Sequence, residues 1–369
     1  MKFGLLYEME TPRPWNERSE YNIYWQALEQ IELADQVGFD CVWEVEHHFL
    51  EEYSHSSAPE VFFGAVSQRT KNIRIGHGVR LLPFNFNHPI KLAEQAAVLD
   101  IMSNGRVEFG IGRSTTVQEL DGFGIDYART REEVREAAEV IVKAWTEEVL
   151  EFDGKLLKIP PRRVIPKPIQ KPHPPMWMAC VAPDSYELAG NRGLGVLSFT
   201  FNFDQVKKAL AKYRRAFDAR CDQIPRFPNQ GFANMVVCHV AQTKADIAIG
   251  IDGARWFLHH VGLLFRPMMV KNQLYSYEYT RNLFNTDVDP GDLPDEALKE
   301  HPLVVVGTVE EVIGKLEELQ RAGVDQVICF KQAGHIPHAN IMRSFELMGR
   351  HVLPHFKKRE ASAAQASAQ

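Results

Sequence analysis

Ala34-Asp35-Gln36-Val37-Gly38-Phe39-Asp40-Cys41-Val42 and, near the other end of the chain, Arg321-Ala322-Gly323-Val324-Asp325-Gln326-Val327-Ile328 share one local plan. Each reads as the end of a helix, a glycine, an aspartate and then an apolar run. Glycine takes the left-handed backbone that closes a helix at little cost. The β-branched run after it reads as a strand. Asn191 to Leu197 is a looser copy around Gly193. One helix-to-strand joint used repeatedly is what a set of parallel strands connected by helices requires.

Working outward, strand-like runs occupy 2–7, 41–45, 73–79, 107–111, 176–181, 196–201, 234–240 and 326–330. Segments of helical period separate them. Tyr24, Ala27, Leu28, Ile31 and Ala34 recur at helical spacing, and Pro89 stands where a helix opens without needing its N–H. An open doubly wound sheet shares this alternation. About eight strands predict instead a closed α/β architecture, a single (β/α)8 TIM barrel over residues 1–356. Two regions break the rhythm. Residues 151–175, rich in Pro, Lys and Arg, are expected to form an extended excursion, and 262–302, without sustained period, a lid or binding loop. Thr308 and Glu311 form a capping box for a later helix. Residues 357–369 have little to bury and are expected to be a disordered tail.

The chain has 369 residues, 45% of them hydrophobic, and a formal net charge of −6. The negative balance argues against nucleic acid or an anionic membrane as partner, because attraction to phosphate is missing. No run is long enough for a membrane span and the first residues are too short an apolar stretch for a signal peptide. Cys41, Cys180, Cys221, Cys238 and Cys329 are odd in number and lack Cys-x-x-Cys spacing. Free thiols in a reducing, cytoplasmic setting are the expectation.

Three segments carry candidate chemistry. Glu46-His47-His48 follows the second strand, and strand C-terminal ends face the active site of such a barrel. The cluster could supply a general base, or equally two structural histidines bound to loop backbone. A shared metal is excluded for the pair, since neighbouring strand residues point to opposite faces. His335 and His338 have no third ligand nearby, so no metal is expected. Phe109-Gly110-Ile111-Gly112-Arg113-Ser114 ends the fourth strand. Its glycines admit a ligand to the backbone and Arg113 offers a fork for phosphate, or a tight turn with a paired arginine. Pro183-Asp184-Ser185 opens a helix whose free N–H groups attract anions. Phe199, Phe201 and Phe203 alternate at the sixth strand's end, as core or as the lining of an apolar pocket.

Taken in order, these pieces resemble the luciferase-like flavin monooxygenases. The matching segments are Met1 to Gly4, Gly38-Phe39-Asp40, Glu46 to Phe49, Gly76 to Val79 with Leu82-Pro83, and His88-Pro89 with Glu94. Leu99-Asp100, Ser103 with Gly105-Arg106, Phe109 to Arg113, Gly307-Thr308, Ala322 to Asp325 and Arg343-Ser344-Phe345 follow. The resemblance implies a two-component monooxygenase that takes reduced FMN from a separate reductase. With dioxygen it oxygenates a small, largely apolar organic substrate. It places His47 as catalytic base, with Glu46 and His48 beside it. Arg113 and Arg131 become phosphate-binding arginines, and Gly78-Val79 a non-prolyl cis peptide against the flavin. Gly112 stands where bacterial luciferases carry a reactive cysteine, which argues against light emission. Val181 stands where they use a serine near the phosphate, leaving that contact to Ser185 or to backbone N–H groups. A deazaflavin-dependent dehydrogenase on the same barrel and a non-catalytic flavin-binding protein are the alternatives, and a homodimer is left open.

Overall fold

The computed structural model describes residues 1–200, 203–271 and 290–357, without the side chains of 203, 265–271 and 290. β1 (Lys2–Tyr7) pairs in parallel on both sides. One neighbour is β2 (Cys41–Glu44), in register from Gly4↔Cys41 to Tyr7↔Glu44. The other is the chain's last strand, Gln326–Phe330, from Lys2↔Gln326 to Leu6↔Phe330. First and last strands are therefore neighbours, the condition for closing a sheet into a barrel. β3 (Arg74–Leu81) and β4 (Val107–Gly112) continue the ring. β5 (Leu150–Asp153) and β6 (Lys158–Arg162) form a separate antiparallel pair. β7 (Met176–Cys180), β8 (Gly195–Ser198) and β9 (Phe232–Val240) then lead round to Gln326–Phe330. The ring of eight parallel strands is the expected (β/α)8 barrel.

A further strand was not foreseen. β10 (Val304–Gly307) pairs in parallel with the far half of β9, Val304↔Val237 to Gly307↔Val240. Its three valines stand between Pro302 and the Thr308 capping box, too short a run to separate from the irregular stretch before it. With β10 counted, Gln326–Phe330 is β11.

The repeated joint behaves as its residues predict. Helices Ser19–Val37 and Val309–Ala322 end at Gly38 and Gly323, both at φ 96°, and helix Pro183–Arg192 ends at Gly193 at φ 69°. The aspartate two residues on has a defined task. Asp40 Oδ2 accepts from Phe3 N at 2.8 Å, and Asp325 Oδ2 accepts from Phe232 N at 2.9 Å. Each carboxylate thus satisfies an N–H at the start of the adjacent strand, where the ladder leaves a donor open. In the third joint this place belongs to Gly195, whose added Cβ would come within 2.6 Å of the Trp177 ring.

Residues 151–175 form the expected excursion, built around the β5–β6 hairpin. The expectation for 262–302 needs correction. Helix Lys244–Lys271 runs into this region, with Ile251, Ala254, Phe257, Leu258, Val261 and Leu264 buried at helical spacing. The apolar period thus extends past Gly262. Pro290–Asp292 and Asp295–Glu300 are short helices, and 272–289 lie outside the described residues, as do 358–369 of the expected tail. Cys41, Cys180, Cys238 and Cys329 are buried free thiols and Cys221 is exposed. Among the described residues no helix is long and apolar enough to cross a membrane.

Candidate active site

A cavity of about 270 Å³ opens at the C-terminal ends of the barrel strands. Leu6 and Glu8 from β1 and its exit, Trp43 and Val45 from β2 and its exit, and Ala179 and Val181 from β7 and its exit face it. The period of two that lines one face of a strand continues through Glu8 and Val45, just beyond the strands.

His47 is brought into this cavity, held by a residue far away in sequence. Its Nδ1 lies 2.8 Å from Glu119 Oε1, and its Nε2 lies 3.7 Å from Glu8 Oε2. Glu119 is fully buried on the short helix Val117–Gly122. It also accepts from the hydroxyls of Ser114 and Thr116 and from the backbone N–H of His48. Burial opposes a charge on His47, but Glu119, acting by charge and hydrogen bond, outweighs it with help from Glu8 and Glu46 and raises the imidazole to about 9. Burial likewise opposes ionisation of Glu119, yet His47 and the two hydroxyls hold it below the usual carboxylate range. Glu8 has the opposite fate. Burial pushes its carboxyl up to about 7, against the pull of His47 and the Tyr53 hydroxyl.

Glu46 and His48 have different surroundings from His47. Glu46 reaches the cavity wall, but Oε2 accepts from Leu81 N at 2.9 Å and Oε1 from Asn87 Nδ2 at 2.8 Å, with Arg80 Nε at 3.1 Å from Oε2. Burial disfavours its charge, but His48, Arg80 and Asn87 hold the carboxyl below its ordinary range. Glu46 therefore ties the end of β2 to the end of β3. His48 turns away from the cavity. Its ring packs against Phe49, Phe86 and Phe123, with Nε2 3.6 Å from Glu46. His47 and His48 part company beyond the end of β2, where Glu46 and His47 both line the cavity and His48 does not.

The other expected residues meet at the opposite side. Gly78, Val79, Gly112, Arg113, Val181 and Ser185 all line the cavity. The Gly78–Val79 peptide is cis, as the resemblance implied. Val79 also explains Gly112, since a Cβ there would stand 2.4 Å from Val79 Cγ2 and leaves no room for a cysteine. Arg113 Nη1 lies 3.4 Å from Thr130 Oγ1. Arg131, also on the lining, is paired with Asp184 at the start of helix Pro183–Arg192. That helix has no side-chain N-cap. Arg192, at its other end, lines the cavity too, is only 6% exposed, and has a buried Nε without a hydrogen-bond partner among the described residues. Three arginines at one end of the cavity fit a phosphate-bearing cofactor. Among the described residues no group of three or more side chains is placed to hold a metal ion, and His338 instead pairs with Glu29 through Nε2 at 3.1 Å.

Glu8, Glu119 and Arg192 were missed by sequence reasoning. Glu8 continues the inward face of β1, two residues beyond Leu6. Thr116-Val117-Gln118-Glu119 has the spacing of a capping box, and Thr116 does accept from Glu119 N. Arg192 carried no local signal. Of the alternating phenylalanines, Phe199 lines the cavity, and Phe201 and the Phe203 side chain lie outside the described residues.

The family described as luciferase-like monooxygenases matches residues 1–326. The oxygenase component of the flavin-dependent trigonelline monooxygenase of Acinetobacter baylyi is 26% identical, over 100% of this chain and 99% of that protein. Among solved structures, the monooxygenase RslO1 from Streptomyces bottropensis is 27% identical with a TM-score of 0.74, over 96% of this chain and 100% of that one. The oxygenating constituent of 3,6-diketocamphane monooxygenase from Pseudomonas putida, in complex with FMN, superposes with a TM-score of 0.76 at 23% identity. That match covers 96% of this chain and 98% of the other.

Proposed function

The chain belongs to the luciferase-like monooxygenase family, and from that membership we propose that it is the oxygenase component of a two-component system. A separate reductase supplies reduced FMN, and the chain uses it with dioxygen to oxygenate a small, largely apolar organic substrate. The observation that carries this reading is the division of one cavity into a cationic end and an acid–base end.

Arg113, Arg131, Arg192 and Ser185 would hold the phosphate of FMN. Arginine forks bind phosphate with charge-assisted hydrogen bonds, and Arg192 adds a buried guanidinium on the cavity lining whose Nε has no hydrogen bond and lies 3.9 Å from Asp222 Oδ2. Gly78, Val79, Gly112 and Val181 would form the wall along the rest of the cofactor. Reduced FMN, when bound, supplies the electrons that activate dioxygen. The protein's part is to exclude water, orient the substrate and manage protons. With its imidazole at about 9, His47 carries its proton at neutral pH. Glu119 fixes Nδ1, so the second N–H is the one presented towards the cavity. On this reading His47 donates a proton at pH 7, where the resemblance implied a base. Glu46 acts through the backbone as a positioning residue. The apolar side of the cavity, with Phe199, Met235, Phe257 and Leu264, receives the substrate.

No glycine-rich dinucleotide turn is present in the sequence. The purified chain with FMN should therefore oxidise little NADH or NADPH. Adding a flavin reductase should start oxygen consumption, and a substrate screen under labelled dioxygen should yield products carrying one labelled oxygen atom. Rapid, substrate-coupled oxidation of a nicotinamide without reductase would overturn the two-component reading. FMN binding with no labelled product from any substrate would point to a carrier rather than an enzyme.

A further inference from the structure

Glu8 is 4% exposed and lines the cavity. Its Oε1 is 3.4 Å from the Tyr53 hydroxyl, and its Oε2 has no hydrogen-bond partner among the described residues. A buried carboxylate oxygen left without a partner carries a desolvation cost that a bound group can relieve. The nearest polar atom across the cavity is His47 Nε2, 3.7 Å away. That gap is too long for a hydrogen bond. An oxygen atom at about 2.8 Å from both would sit beside the line joining them, with its two contacts at roughly a right angle.

The two sides of the gap ask for different things. His47 has Nδ1 committed to Glu119, so Nε2 is the donor left to offer. Once the carboxyl is ionised, above about pH 7, Glu8 Oε2 is an acceptor, and the comparison below is for that state. A ketone or ether would satisfy His47 and leave Glu8 facing a lone pair. An ammonium group would satisfy Glu8 and meet the charge of the imidazolium. A hydroxyl accepts from one and donates to the other. Around the pair the lining turns apolar, with Tyr53, Phe199, Phe257, Met235 and Leu264. Tyr53 and Phe257 stack with ring centroids 6.1 Å apart, and Phe199 meets Phe257 edge-on at 6.2 Å.

We propose that Glu8 and His47 form a two-sided clasp for a hydroxyl group, so that the substrate is an otherwise apolar, ring-bearing compound with one hydroxyl. This rests on the monooxygenase reading above and names the substrate class for the same site. Glu8 becomes a specificity-determining residue. It fixes which end of the substrate lies beside His47 and turns the remaining apolar frame towards the phenylalanines.

The test uses 4-methylphenol and its O-methyl ether, 4-methylanisole, in which a methyl group replaces the hydroxyl hydrogen that would bond to Glu8. Both are titrated by calorimetry into the full-length protein with FMN present. The phenol should bind about tenfold or more tightly than the ether, because a site built for a hydroxyl rejects the analogue lacking its proton. Glu8→Leu, which has no acceptor at this place, should remove most of that preference while the melting temperature shows the fold retained. Equal binding of the two probes to the unsubstituted protein would overturn the clasp, whether or not the variant folds. So would a preference for the phenol that survives in a folded Glu8→Leu protein. FMN binding, followed by flavin fluorescence, is read separately. Selective phenol binding without FMN binding would sink the flavin reading and leave the clasp standing.

Discussion

His47 and Glu119 are 72 positions apart in sequence and 2.8 Å apart in space, Nδ1 to Oε1, joining the exit of β2 to the short helix after β4. The contact does three things together. It selects which imidazole nitrogen faces the cavity, it raises the affinity of His47 for its proton, and it gives the buried Glu119 carboxylate a charged partner. A buried carboxylate with that many donors is a fixed point around which a mobile group can be oriented.

The first prediction concerns the proton on His47. In the flavin-free protein, its ring resonances followed by NMR should titrate near 9 and not in the ordinary histidine range. In Glu119→Gln the charge and the carboxylate acceptor are both gone, so the titration midpoint should fall by at least about 1 in pH. A midpoint unchanged by the substitution would mean that Glu119 does not set the protonation of His47.

The same pair makes stability depend on pH. A pKa of about 9 in the folded protein, above the unfolded value of 6.5, gives stability that is fully present below pH 6.5. It is lost as pH rises through 9. Glu8, raised from 4.5 to about 7, acts in the same sense over a lower window, with its share present below 4.5 and lost through 7. A tenfold difference in proton affinity between the folded and unfolded states corresponds to about 1.4 kcal/mol. Urea midpoints should therefore fall between pH 6.5 and 9, and Glu119→Gln should flatten that part of the curve. Parallel curves for the two proteins would show that the His47–Glu119 charge pair contributes nothing to stability.

The ring of strands was legible because its signals are local. Gly38 and Gly323 must take positive φ, and Asp40 and Asp325 then stand ready to cap the adjacent strand. The cavity's strand-end residues were legible for a related reason, since a barrel directs every strand end to one face. What was not legible depends on contacts distant in sequence. Nothing next to His47 announces Glu119, and nothing at Arg192 announces a buried donor at the cavity. Glu46-His47-His48 reads as one cluster in sequence, but beyond the end of β2 His47 and His48 enter different environments. β10 and the last turns of helix Lys244–Lys271 were lost in a stretch whose composition hides its period.

The cationic end of the cavity should recognise the phosphate and not the ring. Hydrogen bonds to a charged group are worth about 1.5–3 kcal/mol, so Arg113→Ala should weaken FMN binding by roughly ten- to a hundredfold. Arg192→Met should act in the same direction by removing a buried positive charge from the cavity lining. Riboflavin, which lacks the phosphate, should bind these variants and the unsubstituted protein about equally. Loss of FMN and riboflavin binding in equal measure would show that the arginines support the cavity wall and do not contact the phosphate.

The last prediction concerns Gly112 and Val79. A Cβ at position 112 would lie 2.4 Å from Val79 Cγ2, well inside van der Waals contact, and within 4.0 Å of Ala179 Cβ. Both residues line the cavity, so relieving the clash turns the Val79 side chain into that space or shifts the wall. Overpacking of this kind costs about 1–3 kcal/mol. Gly112→Cys should therefore lower the urea midpoint and weaken FMN binding, because the wall must shift to accommodate the thiol. Val79→Ala removes the Cγ2 atom concerned and opens space beside it. If the clash is the cause, the double variant should recover much of what Gly112→Cys loses, with a coupling of about 1 kcal/mol or more between the two sites. Additive losses would show that glycine is needed at 112 for some other reason, with the approach of the cofactor to the backbone the first to examine.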